Sequence, residues 1–229
     1  MVACGARTRL SFLLVGLILA LGLPGTSRSV PPAKLAVGAD VRALRAILRT
    51  PDDRIDLAQA KLVIDRLIDP EVDASATLRQ VDILAANIKA RFPDGAGSET
   101  KLSLLVTSLS EPGPWNDYRP FSYDLNDPFG KNIRNKLLST YLANRRGNCV
   151  SMPILLVILA QKVGLNMTLA MAPEHVLAKL RNDDGQWINI EATSFGTKRD
   201  VSYQQELNIS PKAIDLTPVL VRYEFRVRG

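Results

Sequence analysis

The chain has 229 residues, of which 46% are hydrophobic and 23% are charged, and its formal net charge is +6. This length is enough for a domain with a proper core, and the composition excludes wholesale disorder. The basic residues are spread among acidic ones and form no run interleaved with aromatic residues. The sequence therefore predicts no nucleic-acid partner.

The N-terminus is typical of a targeting segment. Arg7 and Arg9 precede an apolar stretch at residues 10–23, and small residues follow at 24–27. This order predicts a signal peptide over residues 1–27, and hence an exported protein, with the periplasm as its expected compartment. The apolar stretch is shorter than the ~20 residues that span a bilayer comfortably. The alternative is an uncleaved segment that anchors the protein, and only then is the membrane a partner.

The counts of cysteine and histidine restrict the chemistry. Cys4 lies inside the targeting segment, so Cys149 is the only cysteine expected in the mature chain, which then has no internal disulfide. His175 is the single histidine. A histidine-rich metal site is therefore excluded, and a zinc site of cysteines and histidines is disfavoured. The sequence predicts no metal and no cofactor.

The first part of the mature chain is predicted to be helical. Residues 29–37 are expected to form a short leader into the folded domain. Apolar residues then recur at helical spacing over 57–68, 78–92 and 102–109, as in amphipathic helices that face a core. These elements define an N-terminal helical region, residues 28–110.

Residues 111–131 are rich in proline and aromatic residues, which predicts an irregular but packed connection. Its rings either line a substrate groove or serve packing alone, and the sequence does not distinguish the two. Trp115 is a candidate substrate-binding residue. Together with Asn116 it lies upstream of the core, at a place from which an oxyanion donor can come.

Beyond residue 131 the pattern changes from helix to strand. Residues 152–160 are apolar on every side and predict a buried central helix that Gly164 ends. After it the apolar period becomes two, which predicts strands. The predicted elements are helical turns at 133–144, the buried helix, and strands at 175–180, 187–191 and 219–227. They define an α+β core over residues 111–229.

Cys149 is the candidate nucleophile. Proline fits the first turn of a helix and not its interior, so Pro153 places Cys149 at or just before the start of the buried helix. There the helix macrodipole and free backbone N–H groups favour a thiolate and can hold an oxyanion. Arg145 and Arg146 are expected to add positive potential.

His175 is the candidate base, and it needs a partner that fixes its tautomer. A hairpin centred on residue 183 puts Glu191 opposite His175, whereas a tight turn at residues 184–185 puts Ser194 there. The sequence leaves the register open. Glu191 is the preferred partner because a carboxylate stabilises the imidazolium.

Two further side chains are candidate substrate-binding residues. Asn148 precedes the nucleophile and is expected either to cap the buried helix or to touch substrate. Trp187 shares a strand face with Glu191, where it serves either as a substrate platform or as a packing residue.

Three short motifs carry a family resemblance. Residues 147–153, Glu174–His175 and residues 187–193 resemble the Cys, His and Asp/Glu boxes of the transglutaminase-like superfamily. Residues 123–128 and 134–138 are similar to those of a bacterial branch whose core resembles the N-terminal part of the SirB1 protein. The resemblance covers roughly residues 55–195.

The resemblance implies a papain/transglutaminase-like α+β core, with the nucleophile on a central helix and the base and acid on adjacent antiparallel strands. It implies a thiol hydrolase that cleaves or deamidates an amide bond in a peptide or protein, through a Cys149–His175–Glu191 triad and a thioester. Release of the thioester to water is favoured over release to an amine, which the sequence does not exclude.

Two departures from the family pattern matter. Much of the superfamily has Asp where this chain has Glu191, so the longer side chain must reach the histidine differently. Many relatives of the SirB1-like branch lack the cysteine that this chain keeps. The alternative function is therefore a catalytically idle transglutaminase-like module that binds a cell-envelope protein or glycan.

Overall fold

The structure, a computed structural model, describes residues 33–209. The predicted signal peptide, residues 1–27, and the predicted strand at 219–227 lie outside the described residues. Within the described range, no helix is both long and apolar enough to cross a membrane.

Helices predominate in the first half of the described chain, and further helices precede and follow the strands of the second half. Those that are α-helical are α1 (Ala33–Ile47), α2 (Leu57–Ile68), α3 (Ala74–Lys89), α4 (Ser98–Ser110), α5 (Leu138–Asn144), α6 (Ser151–Val163) and α7 (Asp200–Glu206). Single 3-10 turns lie at Asp52–Arg54, Pro114–Asn116 and Ile133–Lys136. The three helices predicted from apolar spacing in the N-terminal region are confirmed as α2, α3 and α4.

One prediction for the N-terminal region is wrong. Residues 33–37, expected to be part of a leader, are the first turn of α1. The stretch is too short to show a helical period by itself. The period becomes visible only when Val41 and Leu44 are read together with it.

The strands form an antiparallel sheet and a separate two-strand pairing. The strands are β1 (Ser122–Tyr123), β2 (Arg146–Gly147), β3 (Met167–Ala172), β4 (His175–Arg181), β5 (Trp187–Glu191) and β6 (Gly196–Thr197). The sheet has the order β3-β4-β5-β6, and β1 pairs with β2 in parallel. The strands predicted at 175–180 and 187–191 are therefore confirmed as neighbours.

Helix α6 lies at the centre of the core. Leu155, Leu159 and Ala160 are fully buried, in keeping with a helix that is apolar on every side. Helices α3 and α4 pack against it, and so do strands β3 and β4. The predicted α+β class is confirmed, with a central helix against an antiparallel sheet. The predicted division of the chain near residue 110 stays a prediction.

The two faces of β4 pack against different helices. Ala178 and Leu180 belong to the main core around α6, whereas Leu177 packs with Tyr203 of α7 in a second, smaller cluster. Side chains alternate along a strand, so His175 faces the same side as Leu177. This alternation places the candidate base on the face of the sheet that α7 covers.

A buried ion pair joins the helical region to the chain that leads into the site. Asp65 on α2 is fully buried and pairs with Lys61 one turn earlier. Its second oxygen accepts a hydrogen bond of 2.8 Å from the backbone N–H of Leu138, at the start of α5. Burial raises the pKa of Asp65, and the charge and hydrogen bond of Lys61 oppose that rise. Asp65 thus holds α2 against α5 through a paired charge.

Candidate active site

Cys149 lies in the turn between β2 and α6, two residues before the helix begins at Ser151. The turn is held by the β1–β2 pairing, in which Gly147 lies opposite Tyr123. A Cβ atom on Gly147 would come within 2.5 Å of Met152 Cγ, so the close approach requires glycine. The sequence prediction that Cys149 directly precedes the buried helix is confirmed.

Asn148 caps α6. Its Oδ1 accepts hydrogen bonds from the backbone N–H groups of Val150 at 3.0 Å and Ser151 at 3.1 Å. Its Nδ2 donates to the backbone oxygen of Asn135 at 3.2 Å, and the residue is 1% exposed. Both ends of the amide are therefore engaged in holding the turn that carries Cys149. The substrate-binding role predicted for Asn148 stays a prediction.

The surroundings of the Cys149 thiol do not by themselves favour a thiolate. Burial raises the pKa of the half-buried thiol, and the charge of Glu191 raises it further. The backbone N–H of Cys149 and the charge of Lys136 lower the pKa. The cation that acts on the thiol is thus Lys136, whereas the sequence pointed to Arg145 and Arg146.

The side chain of Arg145 is engaged in contacts other than with the Cys149 thiol. It adopts a left-handed backbone conformation with φ of 60° at the end of α5. Its guanidinium lies 4.2 Å from the centroid of the Phe121 ring and 3.8 Å from a carboxylate oxygen of Asp117. The arginine therefore packs on Phe121, the residue before β1. The spacing of residues in the sequence does not reveal this contact.

His175 and Glu191 form a direct pair. The Nε2 atom of His175 lies 2.7 Å from Oε2 of Glu191, and the two side chains are 17% and 8% exposed. Since Nε2 faces the carboxylate, Nδ1 is the ring nitrogen left to take a proton from a nucleophile. Within residues 33–209, no hydrogen bond joins the thiol of Cys149 to His175.

The hairpin register differs from both of those considered from the sequence. Ala178 pairs with Ile190 and Arg181 with Trp187, so the hairpin is centred on residue 184. Its loop is closed by Asn182 and Gln186 rather than by a tight two-residue turn. In this register residues 175 and 191 are diagonal neighbours on one face, and a glutamate is long enough to close the diagonal.

Hydrogen bonds hold the carboxylate of Glu191 at both oxygens. Thr193 donates to Oε1 from its backbone N–H at 3.1 Å and from its hydroxyl at 2.6 Å. The hydroxyl of Tyr203 donates to Oε2 at 2.9 Å. Burial acts to raise the pKa of Glu191, but the bonds from His175 and Thr193 outweigh it and bring the pKa to about 2. The carboxylate is therefore ionised at neutral pH.

Tyr123 lies within electrostatic reach of both halves of the site. Burial raises the pKa of its phenol, and the charges of Cys149 and Glu191 raise it further. Its hydroxyl donates to the backbone oxygen of Pro128 at 3.0 Å, which orders the loop that follows β1. The charges of Cys149 and Glu191 thus both act on one phenol.

The tryptophans predicted to bind substrate lie elsewhere. Trp115 packs beneath Arg91, whose guanidinium is 3.6 Å from the ring centroid, on the side of α3. Asn116 is buried, and its amide bonds the backbone of Ser108 and Glu111.

Trp187 opens β5 opposite Arg181, at the other end of the strand from Glu191, which is roughly 13 Å away at the usual rise per residue. The structure does not bring Trp115 or Trp187 to Cys149. Their predicted roles stay predictions.

The sequence matches the family model of the transglutaminase-like superfamily over residues 75–218, more than half of the chain. This protein belongs to the transglutaminase-like superfamily. Neither the curated proteins nor the solved structures gave a match. The matched region runs from α3 past α7 and so includes Cys149, His175 and Glu191.

The family has two consequences for this transglutaminase-like protein. Its fold is of the cysteine hydrolase and acyltransferase type. The superfamily consists largely of cysteine-dependent enzymes, and some of its members are inactive. The more specific SirB1-like branch stays a prediction, as do the roles of the three triad candidates.

Tyr203 is the residue of this site that the sequence did not single out. It lies on α7, beyond the region that carried the family resemblance. α7 has only seven residues, too few for an apolar period to be recognised. A tyrosine ten residues after the acid box was the only signal, and it carries no chemistry by itself.

The depressed pKa of Glu191 makes stability depend on pH. The pKa lies at about 2, below its ordinary 4.5, so the stabilisation is complete above about pH 5 and is lost as the pH falls towards 2. We expect Glu191→Gln to lower the free energy of unfolding by about 1–3 kcal/mol at pH 7 and by less at pH 3. Urea unfolding of the wild type and of Glu191→Gln at pH 7, 4.5 and 3 measures this difference in the free energy of unfolding.

The control is Glu174→Gln, an exposed glutamate beside His175, which should change stability little at any of these pH values. A destabilisation by Glu191→Gln that is equal at pH 7 and pH 3 would show that the charge of the carboxylate is not its source.

Proposed function

We propose that this protein is a thiol hydrolase that cleaves or deamidates an amide bond in a peptide or protein. The observation that supports it is the 2.7 Å contact between Nε2 of His175 and an ionised Glu191. A carboxylate in this position fixes the tautomer of the imidazole and stabilises the imidazolium. That leaves Nδ1 as the base for the half-buried Cys149 thiol.

The proposed reaction begins with transfer of the thiol proton of Cys149 to Nδ1 of His175. The sulfur attacks the amide carbon, and the carbonyl oxygen takes the negative charge near the N-terminus of α6. The imidazolium then gives its proton to the leaving nitrogen, the C–N bond breaks, and a thioester remains on Cys149. An amine leaves in peptide cleavage, and ammonia leaves in deamidation.

Water completes the cycle. His175 takes a proton from the water as its oxygen attacks the thioester, and a second tetrahedral intermediate forms. The C–S bond then breaks, the sulfur regains the proton from the imidazolium, and a carboxylic acid is released. Glu191 remains ionised throughout, since its pKa is about 2. Attack by an amine in place of water would make the protein a transglutaminase.

Export is a separate proposal. The basic, apolar and small residues of the first 27 positions support a protein that acts in the periplasm, either released or held by an uncleaved N-terminal segment. Its substrates would then be peptides or proteins of the cell envelope. No cofactor is needed for the proposed chemistry.

The rate of Cys149 alkylation by iodoacetamide across pH 4–9 tests the proposed function. A thiolate paired with an imidazolium is expected to react rapidly below pH 7, well under the ordinary thiol pKa of about 8.5. Cys149→Ser is the control for labelling at this position. A thiol that reacts only above pH 8 would contradict the hydrolase and favour the idle module that binds a cell-envelope protein or glycan.

A further inference from the structure

We propose that Tyr203 is a positioning residue of this site, because its hydroxyl holds the oxygen of Glu191 that faces His175. This inference rests on the proposed function, in which Glu191 orients His175. The hydroxyl donates to Oε2 at 2.9 Å, and the same Oε2 lies 2.7 Å from Nε2 of His175.

The two anchors of Glu191 have different tasks. Thr193 holds Oε1 with two hydrogen bonds, but a carboxylate fixed at one oxygen can still rotate about that point. A donor on Oε2 fixes the plane of the group and so directs Oε2 at the imidazole. The second anchor is needed here because glutamate has one more rotatable bond than the aspartate common in the superfamily.

The surroundings of Tyr203 are built to hold the hydroxyl in place. The residue is 1% exposed and packs on Ala170, Ala172 and Leu177 of β3 and β4. Its ring centroid lies 5.9 Å from that of His175 at an interplanar angle of 33°, so the ring also packs beside the imidazole. Tyr203 therefore contacts both members of the pair that it aligns.

The charges around Tyr203 keep its hydroxyl protonated. Burial raises the pKa of the phenol, and the carboxylates of Glu191, Glu206 and Asp200 raise it further. Lys198, whose Nζ lies 4.7 Å from the ring centroid, is paired with Glu206.

Cys149 and Tyr123 are further titratable groups that interact electrostatically with Glu191. Because the pKa of its phenol is raised, the hydroxyl of Tyr203 remains a hydrogen-bond donor to the carboxylate across pH 4–9, the range of the alkylation test.

Tyr203→Phe tests the proposal because it removes the hydroxyl and keeps the buried ring. We expect the alkylation rate of Cys149 at pH 6 to fall roughly tenfold, since the imidazolium is then less well aligned. At pH 9 the thiol ionises without help from His175, and the rate should be unchanged. Tyr141→Phe, which removes a hydroxyl from an equally buried ring of the main core, is the matched control and should change neither rate.

A second variant disrupts the contact between Tyr203 and Glu191 by changing Glu191 instead. Glu191→Asp leaves Tyr203 intact and withdraws the carboxylate by one methylene, away from the hydroxyl. We expect a loss at pH 6 at least as large as that of Tyr203→Phe, because the shorter side chain also withdraws the carboxylate from His175. Combining Tyr203→Phe with it should add little, because the contact of the hydroxyl with Oε2 is already lost.

The outcomes separate this proposal from the proposed function. If the wild-type thiol is slow at pH 6, both fail. If the wild type is reactive and Tyr203→Phe retains the pH 6 rate, only the role of Tyr203 is overturned. If Glu191→Asp also retains that rate, the orienting role of Glu191 is overturned with it. An equal loss at pH 6 and pH 9, or an unfolded Tyr203→Phe protein, assigns the residue to packing and also overturns the proposal.

Discussion

His175→Ala is expected to lower the rate of Cys149 alkylation at pH 6 by at least about 100-fold. Without the imidazolium, burial and the charge of Glu191 keep the pKa of the thiol above its ordinary value. A thiol with a pKa of about 8.5 or higher is less than about 1% ionised at pH 6. Any amide hydrolysis should fall by a comparable or larger factor, since His175 also protonates the leaving group.

The same protein supplies the control for this prediction. At high pH the thiol of His175→Ala ionises without a base, so its alkylation rate should approach that of the wild type. A rate that stays low at high pH would indicate lost access to Cys149 rather than lost activation. Equal rates for the two proteins at pH 6 would show that His175 does not act on the thiol.

Asp65→Ala is expected to lower the free energy of unfolding by about 3–5 kcal/mol. The substitution leaves the buried ammonium of Lys61 without its partner and the N–H of Leu138 without its acceptor. A domain of this kind is stable by only about 5–15 kcal/mol, so the melting temperature should fall by roughly 10 °C or more. Thermal and urea unfolding of the purified proteins measure the effect.

Two further variants show whether the unpaired charge is the cause. Lys61→Met in the Asp65→Ala background removes that charge and should recover part of the lost stability. Arg134→Ala breaks an ion pair with Asp69 in which the arginine side chain is 67% exposed, and it should cost less than about 1 kcal/mol. A loss of under 1 kcal/mol for Asp65→Ala would contradict the importance of the buried pair.

Local sequence was sufficient for the elements that depend on local chemistry. The apolar periods at 57–68 and 102–109 predicted α2 and α4, and an all-apolar run predicted the buried helix α6. Proline at position 153 was enough to place Cys149 just before that helix. The helical period of apolar residues and the position of proline in a helix depend on a few neighbouring residues. They can therefore be read from the sequence before the fold is known.

Pairing across the molecule was not determined by local sequence. Both hairpin registers considered for His175 and Glu191 were wrong, because the loop between β4 and β5 is closed by the side chain and backbone of Asn182 rather than by a standard turn. Glu191 still meets His175, since its length closes the diagonal between them. Glu191 was predictable as the partner of His175 because a carboxylate stabilises the imidazolium, whereas the β4–β5 register depends on packing.

By itself, then, the sequence determined the family, the helices α2, α3, α4 and α6, and the identity of a Cys, a His and a carboxylate in order along the chain. Tertiary structure alone decided which cation acts on the thiol, which oxygen of Glu191 faces His175, and that Tyr203 holds that oxygen. The physical reason is range. Helix period and capping act over a few residues, whereas hydrogen bonds and charges at a site join groups distant in sequence, here on β4, β5 and α7.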